Sequence, residues 1–211
     1  MKRAFIFLAM AISFATINAQ IPTQWTKQFD SHVKWQRITE LGYLVVNASD
    51  GLYGIEPETG ETLWKHAAFA NTDENSFENI PNSPFITFNS SGSVIVMEPL
   101  EGTIVFDSKK VGIETIKRKE IMAETGNMML VGKENGGKVN AMIMVDLATG
   151  NKLWTKDREF GTITALMEIG NGDFIVSTLL TVYRINAKTG DVVWQVAVSY
   201  THLTLPTMRT V

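Results

Sequence analysis

Arg184-Ile-Asn-Ala-Lys-Thr-Gly-Asp-Val-Val-Trp194 decides the reading of this chain, because the same pattern occurs three times. The other copies are Met144-Val-Asp-Leu-Ala-Thr-Gly-Asn-Lys-Leu-Trp154 and Tyr53-Gly-Ile-Glu-Pro-Glu-Thr-Gly-Glu-Thr-Leu-Trp64. Each has an acidic or amide residue (Glu56, Asp146, Asn186), Thr-Gly three residues on (Thr59-Gly60, Thr149-Gly150, Thr189-Gly190), and tryptophan four residues after the glycine. Trp154 and Trp194 are 40 residues apart, and Trp25 and Trp64 are 39 apart. A self-similar period near forty is the mark of propeller blades.

The motif has a physical reading. The acidic or amide side chain closes a strand and hydrogen-bonds its own turn. The glycine supplies the positive φ of a tight hairpin. The next strand begins polar and ends on a broad indole suited to the wedge between blades, with an N–H that needs a partner. Between the motifs, short apolar runs alternate with turn residues. Residues 163–169, 174–178, 181–185 and 191–196 make four strands in one period, which is one blade. Residues 41–47 and 52–55 fit a second blade, and 128–133 and 141–147 a third. No long stretch has helical periodicity. A fourth, degraded copy is expected around 93–98 and 103–107, with Ser108 to Thr115 standing where Thr-Gly and Trp belong. The excess spacing between Trp64 and Trp154 is assigned to residues 69–84, read as a long blade-connecting loop with Asp73, Glu74 and Glu78. Gln24-Trp-Thr-Lys-Gln-Phe29 resembles the last strand of a blade with no blade before it, so Trp25 is expected to close the ring.

The fold class expected is therefore all-β: a propeller of four-stranded antiparallel blades, an incomplete ring of about four, over residues 20–197. Residues 1–19 have the order of a secretory signal peptide: Lys2 and Arg3, an apolar run, then Asn18-Ala19. That run is short for a membrane span, so the mature chain is expected to be exported, periplasmic or extracellular, with no transmembrane segment. Residues 198–211 break the pattern, and Ser199 to Thr207 read as the translation of a transposase sequencing adapter; the segment is expected to be non-native and the reading frame truncated.

Composition narrows the function. The 211 residues carry a formal net charge of −3, with 19% charged and 45% hydrophobic residues and no cysteine. The lack of cysteine excludes disulfides, thiolate nucleophiles and Cys-based zinc sites. Lys117, Arg118 and Lys119 are the one tight basic cluster, assigned to a solvated strand end, so a nucleic-acid surface is not indicated. Asp50, Asp107, Asp146 and Asp173 adjoin turns, where aspartate is expected for structural reasons. His32 and His66 have no ligand at metal spacing. No Gly-x-Ser-x-Gly elbow or phosphate-binding loop occurs. No catalytic or metal-ligating residue is assigned.

The Asp/Asn-x-x-Thr-Gly-x-x-x-Trp copies resemble those of the pyrroloquinoline-quinone-like propeller superfamily. That resemblance implies one of two activities. One branch holds periplasmic quinone-dependent dehydrogenases that use the quinone with calcium. The other holds non-catalytic relatives such as the lipoprotein propeller of the outer-membrane β-barrel assembly machine. The vicinal cysteine pair frequent in the alcohol-oxidising members is missing, as is the lipidated cysteine of the assembly propeller. The expectation is an exported, non-catalytic scaffold of the cell envelope that binds a protein, peptide or other ligand and needs no cofactor. The alternative is the N-terminal part of a quinone dehydrogenase, with pyrroloquinoline quinone and calcium.

Overall fold

The computed structural model describes residues 23–137, 141–157 and 160–197; residues 1–19 and 198–211, the expected signal peptide and adapter-like tail, lie outside these. Among the described residues sixteen strands form four antiparallel sheets, each a meander in chain order. Blade 1 is β1 (Val33–Ile38), β2 (Leu44–Ala48), β3 (Gly51–Ile55) and β4 (Thr62–His66); blade 2 is β5 (Glu78–Asn79), β6 (Ile86–Ser90), β7 (Ser93–Glu98) and β8 (Thr103–Asp107). Blade 3 is β9 (Ile113–Met122), β10 (Asn127–Glu134), β11 (Ala141–Asp146) and β12 (Lys152–Lys156); blade 4 is β13 (Ile163–Glu168), β14 (Phe174–Thr178), β15 (Thr181–Ile185) and β16 (Val192–Ala197). This is an all-β propeller of about four blades.

In blades 1 to 3 the middle strands are buried on both faces because each sheet is packed between neighbours, whereas those of blade 4 are only partly buried. Side chains alternate between faces along a strand, and the core divides accordingly. In β11, Ala141, Ile143 and Val145 join Val94, Val96 and Phe106 of blade 2, whereas Met142 and Met144 join Phe174, Val176 and Ile185 of blade 4. In β2 and β3, Val45 and Leu52 face blade 2, while Val46, Tyr53 and Ile55 face residues Trp25 and Phe29. A one-residue slip would exchange these two sets. The third and fourth strands of every blade carry a bulge at the same place, pairing Gly54 with Trp64, Val96 with Phe106, Met144 with Trp154 and Arg184 with Trp194.

That equivalence corrects the placing of the fourth copy. It is Glu98-Pro-Leu-Glu-Gly102-Thr-Ile-Val-Phe106, with Phe106 in the tryptophan position, and Ser108 to Thr115 is the turn leading into β9 together with the first three residues of that strand. The positions Trp64, Phe106, Trp154 and Trp194 are separated by 42, 48 and 40 residues. Most of the excess therefore lies in blade 3, where β9 and β10 are ten and eight residues long. Lys117 to Lys119 lie within β9 and not at its end. Residues 41–43 precede β2, since Thr39 to Gly42 forms a turn: the Gly42 N–H donates to the Thr39 carbonyl at 2.9 Å, and the Thr39 hydroxyl accepts from the Tyr43 N–H.

Residues 69–84 are more than a loop. They supply β5, and they satisfy the open edge of β6 piece by piece. Glu78 and Asn79 pair with Thr87 and Ile86, the Ser76 hydroxyl accepts from the Asn89 N–H at 2.9 Å, and Thr72 bridges Ser90. An exposed edge would otherwise be left unpaired. The same segment ties three blades: the Trp35 Nε1–H of β1 donates to the Thr72 carbonyl at 3.1 Å, Glu74 pairs with Arg37 of β1 at 2.7 Å, and Glu78 pairs with Lys119 of β9 at 2.8 Å. The acidic residues of this insertion are thus spent within the molecule.

Gly136 and Gly150 both have positive φ, 75° and 69°, but a Cβ on Gly136 meets open space whereas one on Gly150 lies 2.0 Å from the Val105 carbonyl oxygen. Both alanine variants incur the left-handed penalty of about 1–2 kcal/mol. Gly150→Ala must also push blades 2 and 3 apart, so urea denaturation is expected to show it clearly the less stable of the two.

Candidate functional site

The motif residues meet where one blade joins the next. At three of the four turns between third and fourth strands, the Gly N–H donates back to the carbonyl of the acidic or amide residue: Gly60 to Glu56, Gly150 to Asp146 and Gly190 to Asn186, all at 2.8 Å. In blades 2, 3 and 4 the side chain at the acidic or amide position also holds the turn from within. Asp146 Oδ1 accepts from the Thr149 N–H at 2.9 Å, Asn186 Oδ1 from Lys188 and Thr189 at 3.0 and 3.1 Å, and Glu98 from Leu100 and Glu101 at 2.7 and 2.8 Å. The threonine hydroxyl accepts the N–H beyond the glycine, at 3.2–3.3 Å for Thr59, Thr149 and Thr189. These are local turn bonds of the kind short polar side chains make.

The turn so shaped is a seat for the preceding blade. Trp64 Nε1–H donates to the Pro99 carbonyl at 2.7 Å, Trp154 to Ala187 at 2.7 Å, and Trp25 to Pro57 at 2.8 Å. In each case the acceptor is the residue just after the acidic or amide one. A Cβ on the seat glycine would lie 2.6–2.8 Å from the indole: Gly60 under Trp25, Gly102 under Trp64, Gly190 under Trp154. The residue two after the tryptophan makes a second tie. Lys27 Nζ donates to the Gly60 carbonyl at 2.9 Å, His66 Nε2–H to the Gly102 carbonyl at 2.7 Å, and Lys156 pairs with Asp191 at 2.8 Å. Between blades 2 and 3, Phe106 has no N–H to donate, and Gly150 closes directly on the Val105 backbone. Sequence reasoning found the donors and the turns but not the partner carbonyl, nor the role of the residue two after the tryptophan.

Trp25 thus occupies on blade 1 the seat that Trp64 and Trp154 occupy on blades 2 and 4, although its own segment forms no strand. Trp194 sits on no seat among the described residues and is 41% exposed, against 8% for Trp64.

The N-terminal segment is pinned at its other end by Asp50. The Asp50 carboxylate accepts from the Ser31 hydroxyl, from Tyr53 OH at 2.6 Å and from Lys65 Nζ at 2.6 Å. The Lys65 ammonium, with Ser31 and Tyr53, holds the Asp50 carboxyl well below the usual carboxylate range; Asp50 in turn raises the Lys65 ammonium, and burial followed by Asp50 raises the Tyr53 phenol. The Lys65 ammonium also lies 4.9 Å over the Tyr53 ring.

A quinone site with calcium would require converging oxygen ligands. Among the described residues no group of three or more His, Asp or Glu converges to hold a metal. Asp50 is committed as above, Asp107 accepts from Ser93 at 2.5 Å and Lys109 at 3.1 Å, Asp146 holds its turn, and Asp173 pairs with Arg184 at 2.7 Å. These described carboxylates do not converge as the ion would require. No described helix is long and apolar enough to cross a membrane.

A family model described as outer membrane protein assembly factor BamB matches residues 22–209. No curated protein matches the chain in sequence. Among solved structures, BamB from Moraxella catarrhalis is 14% identical with a TM-score of 0.38, over 82% of this chain and 51% of that one. The Neurospora crassa Pan2 WD40 domain is 12% identical with a TM-score of 0.42, over 78% and 49%. A protein of unknown function from Bacteroides caccae is 16% identical with a TM-score of 0.36, over 82% and 63%. The chain spans about half the length of the first two.

Two expectations follow. Trp64→Phe keeps a ring in the wedge but strips the donor from the buried Pro99 carbonyl, and is expected to cost about 1–3 kcal/mol in urea denaturation; Trp194→Phe should change stability negligibly. For Asp50→Asn the sign is fixed by a carboxyl whose folded pKa lies below its unfolded value near ~3.9. Its stabilisation is present above that unfolded value and is lost as pH falls toward the folded one. The variant should melt below the parent at pH 7, and the gap in Tm should narrow steadily below about pH 4.

Proposed function

This chain belongs to the family described as outer membrane protein assembly factor BamB, and from that membership we propose that it is an exported, non-catalytic propeller scaffold that binds a protein or peptide in the cell envelope. The observation that carries the reading is the seam chemistry. The repeat's tryptophan, glycine, threonine and acidic residues are consumed in joining blade to blade. What remains for function is surface on a stiff frame, the arrangement suited to binding. No cofactor is required in this reading, and neither quinone nor calcium takes part.

Trp25 belongs to the same proposal as the ring-closing residue. Its indole and Lys27 make on blade 1 the two ties that a preceding blade makes elsewhere. Trp25→Ala removes an indole N–H bond and a large apolar contact, and is expected to cost about 2–4 kcal/mol, read as a lowered urea midpoint.

Cell fractionation with N-terminal sequencing tests the location. The expected product begins at Gln20 and lies in the envelope fraction. A cytoplasmic product that keeps residues 1–19 would overturn export. Saturable binding of pyrroloquinoline quinone in the presence of calcium would overturn the cofactor-free reading.

A further inference from the structure

The seam between blades 3 and 4 holds a cleft on the side of the turns between third and fourth strands. Its volume is about 480 Å³, and its walls include Leu153, Asn127, Asn171, Asn186 and Asp173. At the blade 2–blade 3 seam the corresponding space, beside Gly126 and Leu147, measures about 230 Å³ and is walled by residues 80–85. There the six-residue turn between β5 and β6 fills the space, whereas the shorter β9–β10 turn, which contributes Thr125, leaves it open at the blade 3–blade 4 seam.

The walls are held rigidly. Glu168 accepts from the Glu124 and Thr125 N–H groups at 2.9 and 3.1 Å and from the Thr125 hydroxyl at 2.9 Å, fastening the β9–β10 turn to blade 4. On the opposite side Asp173 is 7% exposed and its charge is met by Arg184. The Asn171 side chain is committed to Asp173 in both directions. Gly172 lies close under the wall, where a Cβ would stand 3.1 Å from the Thr125 methyl.

Against this fixed frame two amides are uncommitted. The Asn127 side chain has no hydrogen-bond partner among the described residues. Asn186 uses its Oδ1 on its own turn, while its Nδ2 donates to none of them. Beside them Leu153, at the bulge of β12, is 48% exposed. A carboxamide offers a donor and an acceptor in one plane, which matches a peptide group. An aliphatic wall with no aromatic face suits a branched apolar side chain better than a sugar, which prefers a ring to stack on. Trp154 is not available for that, since its N–H is turned to Ala187 and its ring lies on Phe174.

We propose that this cleft binds a short extended peptide segment bearing an aliphatic side chain that seats on Leu153 while Asn127 and Asn186 bond its backbone, with Lys188 on the same lining. The proposal rests on the scaffold reading above and locates its binding site.

The test is panning of phage-displayed random heptapeptides on the immobilised protein, followed by affinity measurement with the enriched sequences as synthetic peptides. Enrichment of sequences with an aliphatic side chain is expected, with affinity reduced at least tenfold by Leu153→Asp and three- to tenfold by Asn127→Ala. Leu63→Asp, at the equivalent bulge of blade 1, should leave affinity unchanged. Circular dichroism melts of the variants separate lost binding from lost fold; both substituted side chains are partly exposed. Enriched peptides that bind Leu153→Asp and Asn127→Ala as well as the parent would overturn this cleft and leave the scaffold reading standing. Failure to enrich any sequence would overturn both. Binding of chitotriose that is abolished by Leu153→Asp would overturn the peptide class.

Discussion

An indole N–H of one blade donating to a turn carbonyl of the next, across a glycine that has no side chain to hold the two apart, is the contact on which the architecture depends. It joins three things that a propeller must solve together. The bond orients the blades, the ring fills the wedge, and the glycine sets both the hairpin and the approach distance. A neutral N–H···O bond contributes only about 0.5–1.5 kcal/mol. Its leverage comes from where it sits, because the same ring is the last large side chain between two sheets. The Trp64 and Trp154 bonds to carbonyls 35 and 33 residues ahead make the repeat cooperative in a nearest-neighbour sense.

The exception in blade 2 shows how much of this is geometry and how much is bonding. Phe106 replaces tryptophan without loss of the wedge: it is 2% exposed and shares a cluster with Ile143 and Val145. What changes is the spacing. With a smaller ring, the Gly150 turn advances until it meets the Val105 backbone. The two solutions use the same glycine for different neighbours, which is why the glycine recurs in all four blades while the aromatic residue varies. Blade 3 answers with a longer first hairpin, bulged opposite Gly132, whose absent side chain admits Glu114 and Ile116.

The all-β class and the forty-residue rhythm were legible because the motif spans strand, turn and strand within a dozen residues, so that periodicity and turn chemistry agree. The Glu98 copy was missed for a local reason. It lacks both Thr and Trp, the two most distinctive letters of the motif; its signal is the spacing of Glu98-Pro99, Gly102 and Phe106, which repeats that of Glu56-Pro57, Gly60 and Trp64. Residues 69–84 defeated sequence reasoning for a different reason. A two-residue strand assisted by the Ser76 hydroxyl has no periodicity to detect. Of the seams, the donor tryptophans were visible and the acceptors were not, because a backbone carbonyl leaves no mark in the sequence. The cleft beside Leu153 was invisible for the same kind of reason: it arises from what one seam omits relative to the next.

The two ends of the described chain differ in a way that bears on how such a frame is finished. On blade 1 the outward face is covered: Phe29 lies edge-on to Tyr53 at 5.2 Å, Trp25 fills the seat, and Ser31 is fastened to Asp50. On blade 4 the equivalent donor, Trp194, is exposed together with Val193 and Val196. Five positions in the described chain carry a seam aromatic, from Trp25 to Trp194, but only four turns receive one. The surplus is at Trp194, and the residue two after it is Val196, which cannot make the second tie that Lys27 and His66 make. A second copy offering its blade 1 to Trp194 would have to expel a segment held by two side-chain bonds in exchange for one. Among the described residues no turn receives the Trp194 indole, so the wedge chemistry that Trp25 completes on blade 1 has no counterpart at Trp194.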